Sequence, residues 1–156
     1  MAIITSTSFK GTTTEALAAT AAQIKASTKV TITDNTYTAA NLIAILAKTN
    51  NHPVVLEKTA AGTPLSADSD KLVTIIEGVN KYTGSLTANA DATAEHLNDI
   101  AKGTTGKVTA TLDPATTIDA VTVAALKDVK TTDNITFKPT GPGLAVSGNS
   151  ELTALI

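Results

Sequence analysis

Short segments of alternating apolar and polar residues recur along the chain at intervals of about 26 residues. In each segment two inward positions flank an outward residue that is usually Thr, the period-two pattern of a half-buried strand. The first inward positions are Ile4, Val30, Val54, Tyr82, Val108 and Ile135, and the second are Ser6, Ile32, Leu56, Gly84, Ala110 and Phe137. We therefore predict six short strands, each with one buried face.

Amphipathic segments separate the predicted strands. Apolar residues recur in them three and four positions apart, as with Leu72, Ile75 and Ile76, and so line one face of a helix. The pair Thr12 and Glu15 has the spacing of a helix-capping box. The predicted helices span 13–26, 38–49, 69–80, 91–102 and 117–129.

A helix between two strands prevents a hairpin, so consecutive strands should be parallel and joined by right-handed crossovers. Such thin units are stable only when they stack on one another. We therefore predict an α/β fold: a right-handed α/β solenoid of about 26-residue strand–helix repeats, with a parallel sheet on one face and helices on the other. Residues 1–156 would form a single solenoid domain of five to six repeats, with segment 58–68 as a lengthened loop.

The outward positions of the predicted sheet form a column rich in Thr. Its threonines are Thr5, Thr31, Thr83, Thr109 and Thr136, flanked by a second line of Thr7, Thr33, Ser85 and Thr111. Because parallel strands lie about 4.8 Å apart, these hydroxyl groups would form a regular, flat surface. Thr is also a favourable residue for any exposed strand, so a purely structural role is the alternative.

Composition narrows the classes of function. Hydrophobic residues make up 42% of the chain but aromatic residues only 3%, which predicts a thin core of small side chains. The 12 basic residues, all Lys, against 14 acidic ones lack the positive excess and the arginines typical of nucleic-acid binding. The apolar runs are far shorter than the roughly 18 to 20 residues of a membrane-spanning helix, and Met1–Ile4 begins no secretion signal.

Residues that could support catalysis or bind a metal are few. Cys is absent, and His52 and His96 do not have the spacing of metal ligands, so we expect no metal site. The sequence has neither a nucleophile-elbow motif nor a phosphate-binding glycine loop, so we assign no catalytic residue and no cofactor and expect no enzyme. Asp68 and Asp70 form the closest acidic pair, for which helix capping is favoured over Ca²⁺ binding.

Two segments share one cadence: Thr-Gly-Lys-Val-Thr-Ala-Thr-Leu-Asp at 105–113 and Thr-Gly-Ser-Leu-Thr-Ala at 83–88. This cadence, followed by a helix rich in Thr and Ala, resembles the strand–helix repeats of very large bacterial and cyanobacterial cell-surface proteins. The resemblance implies a structural or adhesive element, extracellular or at the cell surface, without catalysis.

Two functions are left open. The first is a non-catalytic structural module of an S-layer-like or filament-forming surface protein that self-associates head to tail through open solenoid ends. The apolar residues that would form this end-to-end interface are Ile3, Ile4, Leu152, Leu155 and Ile156. The second is a binding module whose Thr face recognises a repetitive ligand such as a glycan or ice. The expected partners are further copies of the chain or a glycan, and neither nucleic acid nor a membrane.

Overall fold

The chain folds into a mixed α/β structure with two sheets and five helices in the residues described. The computed structural model describes residues 2–4, 8–25, 27, 29–34, 37–49, 52–57, 64–114 and 124–137. The strands are β1 (Ile3–Ile4), β2 (Ser8–Gly11), β3 (Lys29–Ile32), β4 (Val54–Leu56), β5 (Leu65–Ala67), β6 (Val79–Asn80), β7 (Leu86–Ala88), β8 (Val108–Leu112) and β9 (Asn134–Phe137). The helices are α1 (Thr13–Ala18), α2 (Ala21–Lys25), α3 (Ala39–Leu46), α4 (Ser69–Gly78) and α5 (Ala94–Gly103).

The strands form two sheets where the sequence predicts one. The first sheet has the order β1-β2-β3-β4-β6 and the second the order β5-β7-β8-β9. Every pair in them is parallel except β1 with β2. The predicted parallel pairing therefore holds for β3 with β4 and for β8 with β9. The predicted pairing of the Ile4 strand with the Val30 strand is wrong, because β2 lies between them and places Phe9 opposite Val30. The exception has a simple cause, because the few residues between β1 and β2 permit a reversal of the chain but no helical crossover.

The second sheet arises because the chain forms two short strands, instead of one, before α4 and again before α5. Segment 58–68, predicted as a loop, contains β5, in which Leu65 and Ala67 are buried and Ser66 is exposed. The predicted strand at 81–86 is likewise divided. Lys81 adopts a positive φ of 57°, which ends β6, and Tyr82 makes only an isolated bridge to Thr104 before β7 begins.

Side-chain caps set the helix boundaries. Thr12 and Glu15 form the predicted capping box: the Glu15 N–H donates to Thr12 Oγ1 at 3.2 Å, and the Thr12 N–H donates to Glu15 Oε2 at 2.9 Å. The helix predicted over 13–26 is instead two helices, because Thr20 and Gln23 make the same reciprocal pair of bonds and start α2. Of the helix predicted over 117–129, only the part from residue 124 lies within the described residues.

The core lies between the sheets and the helices and consists mostly of aliphatic side chains. Predicted inward positions that are buried include Val30, Val54, Tyr82, Val108 and Ile135. The apolar face of the helices is also buried, at Leu42, Ile45, Leu72, Ile75, Leu97 and Ile100. Ser6, and the side chains of Ile4 and Phe137, lie outside what the structure describes.

We call one pass of the chain, from a strand to the helix that follows it, a unit. Polar side chains join several of these units to the next one. These bonds connect residues 20 to 32 positions apart in sequence. The pairs are Thr13–Asp34, Leu17–Lys48, Ser66–Asn89, Ser69–His96, Gly84–Thr104, Asn98–Asp128, Ala101–Lys130 and Val108–Asp133. The helices also contact one another in chain order, α1 with α3, α3 with α4, and α4 with α5.

Two turns that lead into the second sheet stack directly on each other. Thr104 Oγ1 donates to the Gly84 carbonyl at 2.7 Å and accepts from the Gly106 N–H at 3.0 Å. A Cβ atom at position 106 would lie 2.3 Å from the Gly84 carbonyl oxygen and 2.7 Å from the Ser85 nitrogen. Only Gly fits there, since backbone atoms cannot move aside as a flexible side chain can.

We therefore expect Gly106→Ala to lower the free energy of unfolding by about 1–3 kcal/mol through overpacking. Urea unfolding followed by circular dichroism measures this change. Thr105→Ala, at the exposed neighbouring position, is the control and should stay within about 0.5 kcal/mol of the wild type. An unchanged midpoint for Gly106→Ala would contradict the stacking of the two turns.

Tyr82 is a buried aromatic residue, with 2% of its surface exposed. Burial, with a smaller contribution from Tyr37, raises the pKa of Tyr82 to about 12. Burial favours the neutral phenol because it removes the phenolate from water. The folded protein therefore keeps this phenol protonated to a higher pH than the unfolded chain, in which Tyr ionises at a pH near 10.

Below about pH 10 the phenol is neutral in both the folded and the unfolded state, so the free energy of unfolding does not depend on its ionisation there. As the pH rises from about 10 to 12, the unfolded state loses the proton first, and the free energy of unfolding should fall by about 2 kcal/mol. Tyr82→Phe should remove this part of the alkaline loss, as measured by denaturation over that pH range. Identical alkaline profiles for the two proteins would contradict the burial of the hydroxyl group.

Candidate functional site

The predicted Thr face is distributed over both sheets. Thr31 is in β3 of the first sheet and Thr33 directly follows it, whereas Thr109 and Thr111 are in β8 of the second sheet. Thr136 is in β9, and Thr83 is exposed between β6 and β7. Thr5 and Thr7 lie outside the described residues. The members of the predicted Thr face that are described all have at least partly exposed side chains, as predicted.

The prediction that these threonines form one column is wrong. Thr31 and Thr109 belong to different sheets, and Thr83 is in neither. Within the second sheet Thr109 pairs with Asn134, while Thr136 pairs with Thr111. The two strands are therefore offset by two residues relative to the predicted register, which still leaves each Thr on the outer face because side chains alternate with a period of two.

The register instead forms a different line of small polar residues across the second sheet. Ser66 pairs with Thr87, Thr87 with Thr109, and Thr109 with Asn134. We call these four residues the polar row. Neighbouring members lie on adjacent strands, so their backbones are about 4.8 Å apart. The row is uncharged, and it presents hydroxyl and amide groups that can both donate and accept hydrogen bonds.

Two further features lie beside the polar row. Ser66 Oγ donates to the side-chain carbonyl of Asn89, which orients the hydroxyl at one end of the row. Thr111 and Thr136 pair directly with each other, two residues further along β8 and β9 than Thr109 and Asn134. The outer face of the second sheet therefore carries six small polar side chains from four strands, with no carboxylate or ammonium group among them.

The outer face of the first sheet has a different chemistry. Across it, Lys10 pairs in register with Thr31, Thr31 with Val55, and Val55 with Asn80. Lys10 Nζ lies 2.7 Å from Glu57 Oε1, and both side chains are about half exposed. An exposed ion pair of this kind contributes little stability. The first sheet thus presents a mixed charged and apolar face, and sequence reasoning did not separate it from the uncharged second face.

Several carboxylates of the described residues bind backbone amides or neighbouring polar side chains. Asp133 is fully buried and accepts the N–H groups of Val108 and Lys130, each at 2.8 Å. Asp34 accepts the Thr13 N–H at the start of α1. Asp34 thus caps a helix, whereas Asp133 joins a turn to the start of β8. Asp68, for which capping is predicted, makes no capping bond and instead pairs with Lys71 at 2.7 Å. No group of three or more potential metal ligands lies together in the described part of the chain.

The side chain of Asp128 binds across a unit boundary. Asn98 Nδ2 donates to Asp128 Oδ2 at 3.1 Å, and the Asp128 N–H donates to Asn98 Oδ1 at 2.9 Å. A hydrogen bond from Lys127 and that from Asn98 hold the pKa of Asp128 below its usual range. The two elements joined are α5 and the segment that begins at Ala124.

Each histidine has a distinct position. His96 Nδ1 lies 3.1 Å from Ser69 Oγ, so it joins the first turns of α4 and α5 and is partly buried. His52 borders a groove of about 560 Å³ at the carboxyl ends of α3 and α4. The groove floor is mainly apolar, with Leu46 and Pro53, and Glu77 is its one acidic lining residue.

The predicted end-to-end residues are only partly described. Ile3 is 61% exposed, and among the described residues it is the one large hydrophobic side chain that is exposed. Ile4 lies beside it in β1, whereas Leu152, Leu155 and Ile156 fall outside the described residues. None of the helices described is long and apolar enough to cross a membrane.

Comparison of the chain with protein-family models, with curated proteins and with solved structures gives no match. The site must therefore be interpreted from its own geometry. That geometry includes the uncharged polar row on the second sheet, a mixed charged and apolar face on the first, an exposed apolar residue on β1, and polar side chains that bind between units.

Proposed function

We propose that the chain is a stacked strand–helix solenoid that serves as a non-catalytic structural module and self-associates through the open edges of its stack. Parallel pairing of strands in chain order supports this architecture. Helix contacts in the same order support it further. In such an array each unit contacts only its neighbours, so an outer edge is chemically similar to an internal boundary and can accept another copy.

The observation that carries the proposal is the use of polar side chains between units. The buried carboxylate of Asp133, the ammonium groups of Lys48 and Lys130, and the Asn98 amide all bind the neighbouring unit rather than converge on a cleft. Each such bond fixes the position of one unit against the next. This distribution suits a protein whose task is to keep a long stack rigid.

Both edges of the described stack have features that suit association. At one edge β9 is the last strand of the second sheet, and no described strand lies on its outer side. At the other edge β1 covers β2, but it pairs only with Lys10 and Phe9 and leaves Ile3 in solvent. A two-residue edge strand with an exposed Ile is a weak cover that a second copy could extend or displace.

We place the module in an extracellular or cell-surface protein, of the S-layer-like or filament-forming kind. This placement rests on the resemblance of segments 83–88 and 105–113 to Thr- and Ala-rich surface repeats. The turns of these two segments stack on each other through Thr104 and Gly106. The repeated sequence pattern therefore has a structural role, which is to stack the turn before β8 on the turn before β7.

Self-association should depend on Ile3. We expect Ile3→Glu to reduce assembly at high protein concentration, because a carboxylate would have to be desolvated at the interface. Sedimentation velocity over a wide concentration range measures the distribution of oligomers. The matched control is Ala44→Glu, which adds the same carboxylate to an exposed position of α3. A wild-type protein that stays monomeric at every concentration would contradict the proposed association.

A second candidate function, a binding module, is favoured by the polar row. Ser66, Thr87, Thr109 and Asn134 form an uncharged line in register across four parallel strands. A rigid row of this kind suits a ligand that is itself repetitive and rich in hydroxyl groups. The ligand class is a glycan or ice, and the partner is then a surface rather than a second copy.

Thr109→Tyr should abolish binding to an insoluble polysaccharide, or thermal hysteresis if the ligand is ice, because the ring breaks the flatness of the row. Thr83→Tyr is the control, since Thr83 is exposed but is not part of either sheet. Pull-down with the polysaccharide and nanolitre osmometry measure the two activities. Equal loss in both variants, or no binding by the wild type, would exclude the row as the binding site.

A further inference from the structure

The same helix position is occupied by Lys or Gly in successive units. Counted from the N-cap residues Thr38, Asp68 and Thr93, the tenth residue is Lys48, Gly78 and Gly103 in turn. Lys48 faces the carboxyl end of α1, Gly78 that of α3, and Gly103 that of α4. The position therefore determines how two neighbouring helices meet at that end.

Gly at this position allows close packing of two helices. A Cβ atom on Gly78 would lie 2.4 Å from Leu46 Cδ2 of α3, and one on Gly103 would lie 2.5 Å from Ile76 Cδ1 of α4. Leu46 and Ile76 are themselves equivalent, each being the eighth residue after its N-cap. The boundaries α3–α4 and α4–α5 are thus closed by the same apolar contact.

Lys48 replaces that contact at the boundary between α1 and α3. Helix α1 ends at Ala18, so it provides free carbonyl groups where a longer helix would provide an apolar side chain. Lys48 Nζ lies 2.7 Å from the Leu17 carbonyl oxygen, 2.9 Å from that of Ala19 and 3.3 Å from that of Ala16. The three donors of the ammonium group therefore match three acceptors at the negative end of the helix.

Lys130 makes the equivalent connection at the carboxyl end of α5. Its Nζ lies 2.6 Å from the Ala101 carbonyl oxygen and 2.8 Å from that of Thr104. Ala101 is the eighth residue after the N-cap of α5, the level at which Leu46 and Ile76 are used in the other helices. Within the described residues neither Lys48 nor Lys130 has a carboxylate ion-pair partner. Both ammonium groups are held by helix carbonyls.

We infer that Lys48 and Lys130 are latches that hold the two outer units of the described stack and can release them separately, while Gly78 and Gly103 keep the inner units closed by direct packing. Each outer boundary also has strand pairing and other cross-unit hydrogen bonds, but where its helices end it depends on one ammonium group, whereas an inner boundary has a direct apolar contact there. Removing a latch should therefore open its own boundary and leave the others intact, because units contact only their neighbours.

Native-state hydrogen exchange of dilute protein, read by NMR or by mass spectrometry of fragments, tests this inference independently of self-association. Lys48→Met should raise the exchange rates of amides in β2 and α1 by about 10- to 100-fold, the effect of losing hydrogen bonds from a charged donor. Exchange in α5 and β8 should stay at the wild-type rates. Lys130→Met should produce the opposite distribution, with faster exchange in 124–137 and no change in β2 and α1.

The controls are Lys29→Met and Lys107→Met, which remove exposed lysines and should change exchange in neither region. If Lys48→Met does not fold, Lys48→Gln takes its place, since it retains two donors and should give a smaller rise in the same amides. Faster exchange spread evenly over the whole stack would overturn the inference. Unchanged exchange at both boundaries would overturn it as well.

Discussion

The pairing of each short strand with its neighbour is the constraint on which the rest of the structure depends. A strand of two to five residues with one helix cannot bury a core by itself, and the aliphatic side chains at Val54, Leu72 or Val108 become fully buried only between neighbouring units. The ladder also fixes the register, which decides which side chains face outward. The core, the cross-unit bonds and the two outer faces all follow from it.

Register and composition together explain why the two outer faces differ. In the second sheet small polar residues coincide from strand to strand, which forms the polar row from Ser66 to Asn134. In the first sheet the corresponding line begins with Lys10 and includes Val55, and the Lys10–Glu57 pair crosses it. The Lys10–Glu57 ion pair thus lies on the first sheet and the row of hydroxyl and amide groups on the second, so a surface-binding role and a stacking role can coexist in one array.

Sequence reasoning recovers the parts of this fold that follow from local periodicity. The buried faces at Val30 or Leu97 and the capping box at Thr12 are of this kind, because each depends on neighbours within one turn or one strand. Strand β5, Leu65 to Ala67, is missed because it lies outside the interval of about 26 residues at which the predicted strands recur. The division into two sheets depends on Lys81 at positive φ, and the latch at Lys48 on carbonyl groups about 30 positions away; neither has a local signature.

The two-sheet register is tested most directly by spin labelling, because the chain contains no Cys. Nitroxide labels on Cys residues introduced at Thr87 and Thr109, which pair directly, should show strong dipolar broadening. Labels introduced at Thr31 and Thr109 should show weaker broadening, since these positions lie in different sheets and do not pair. Strong broadening for the second pair and none for the first would contradict the account of two sheets built from successive units.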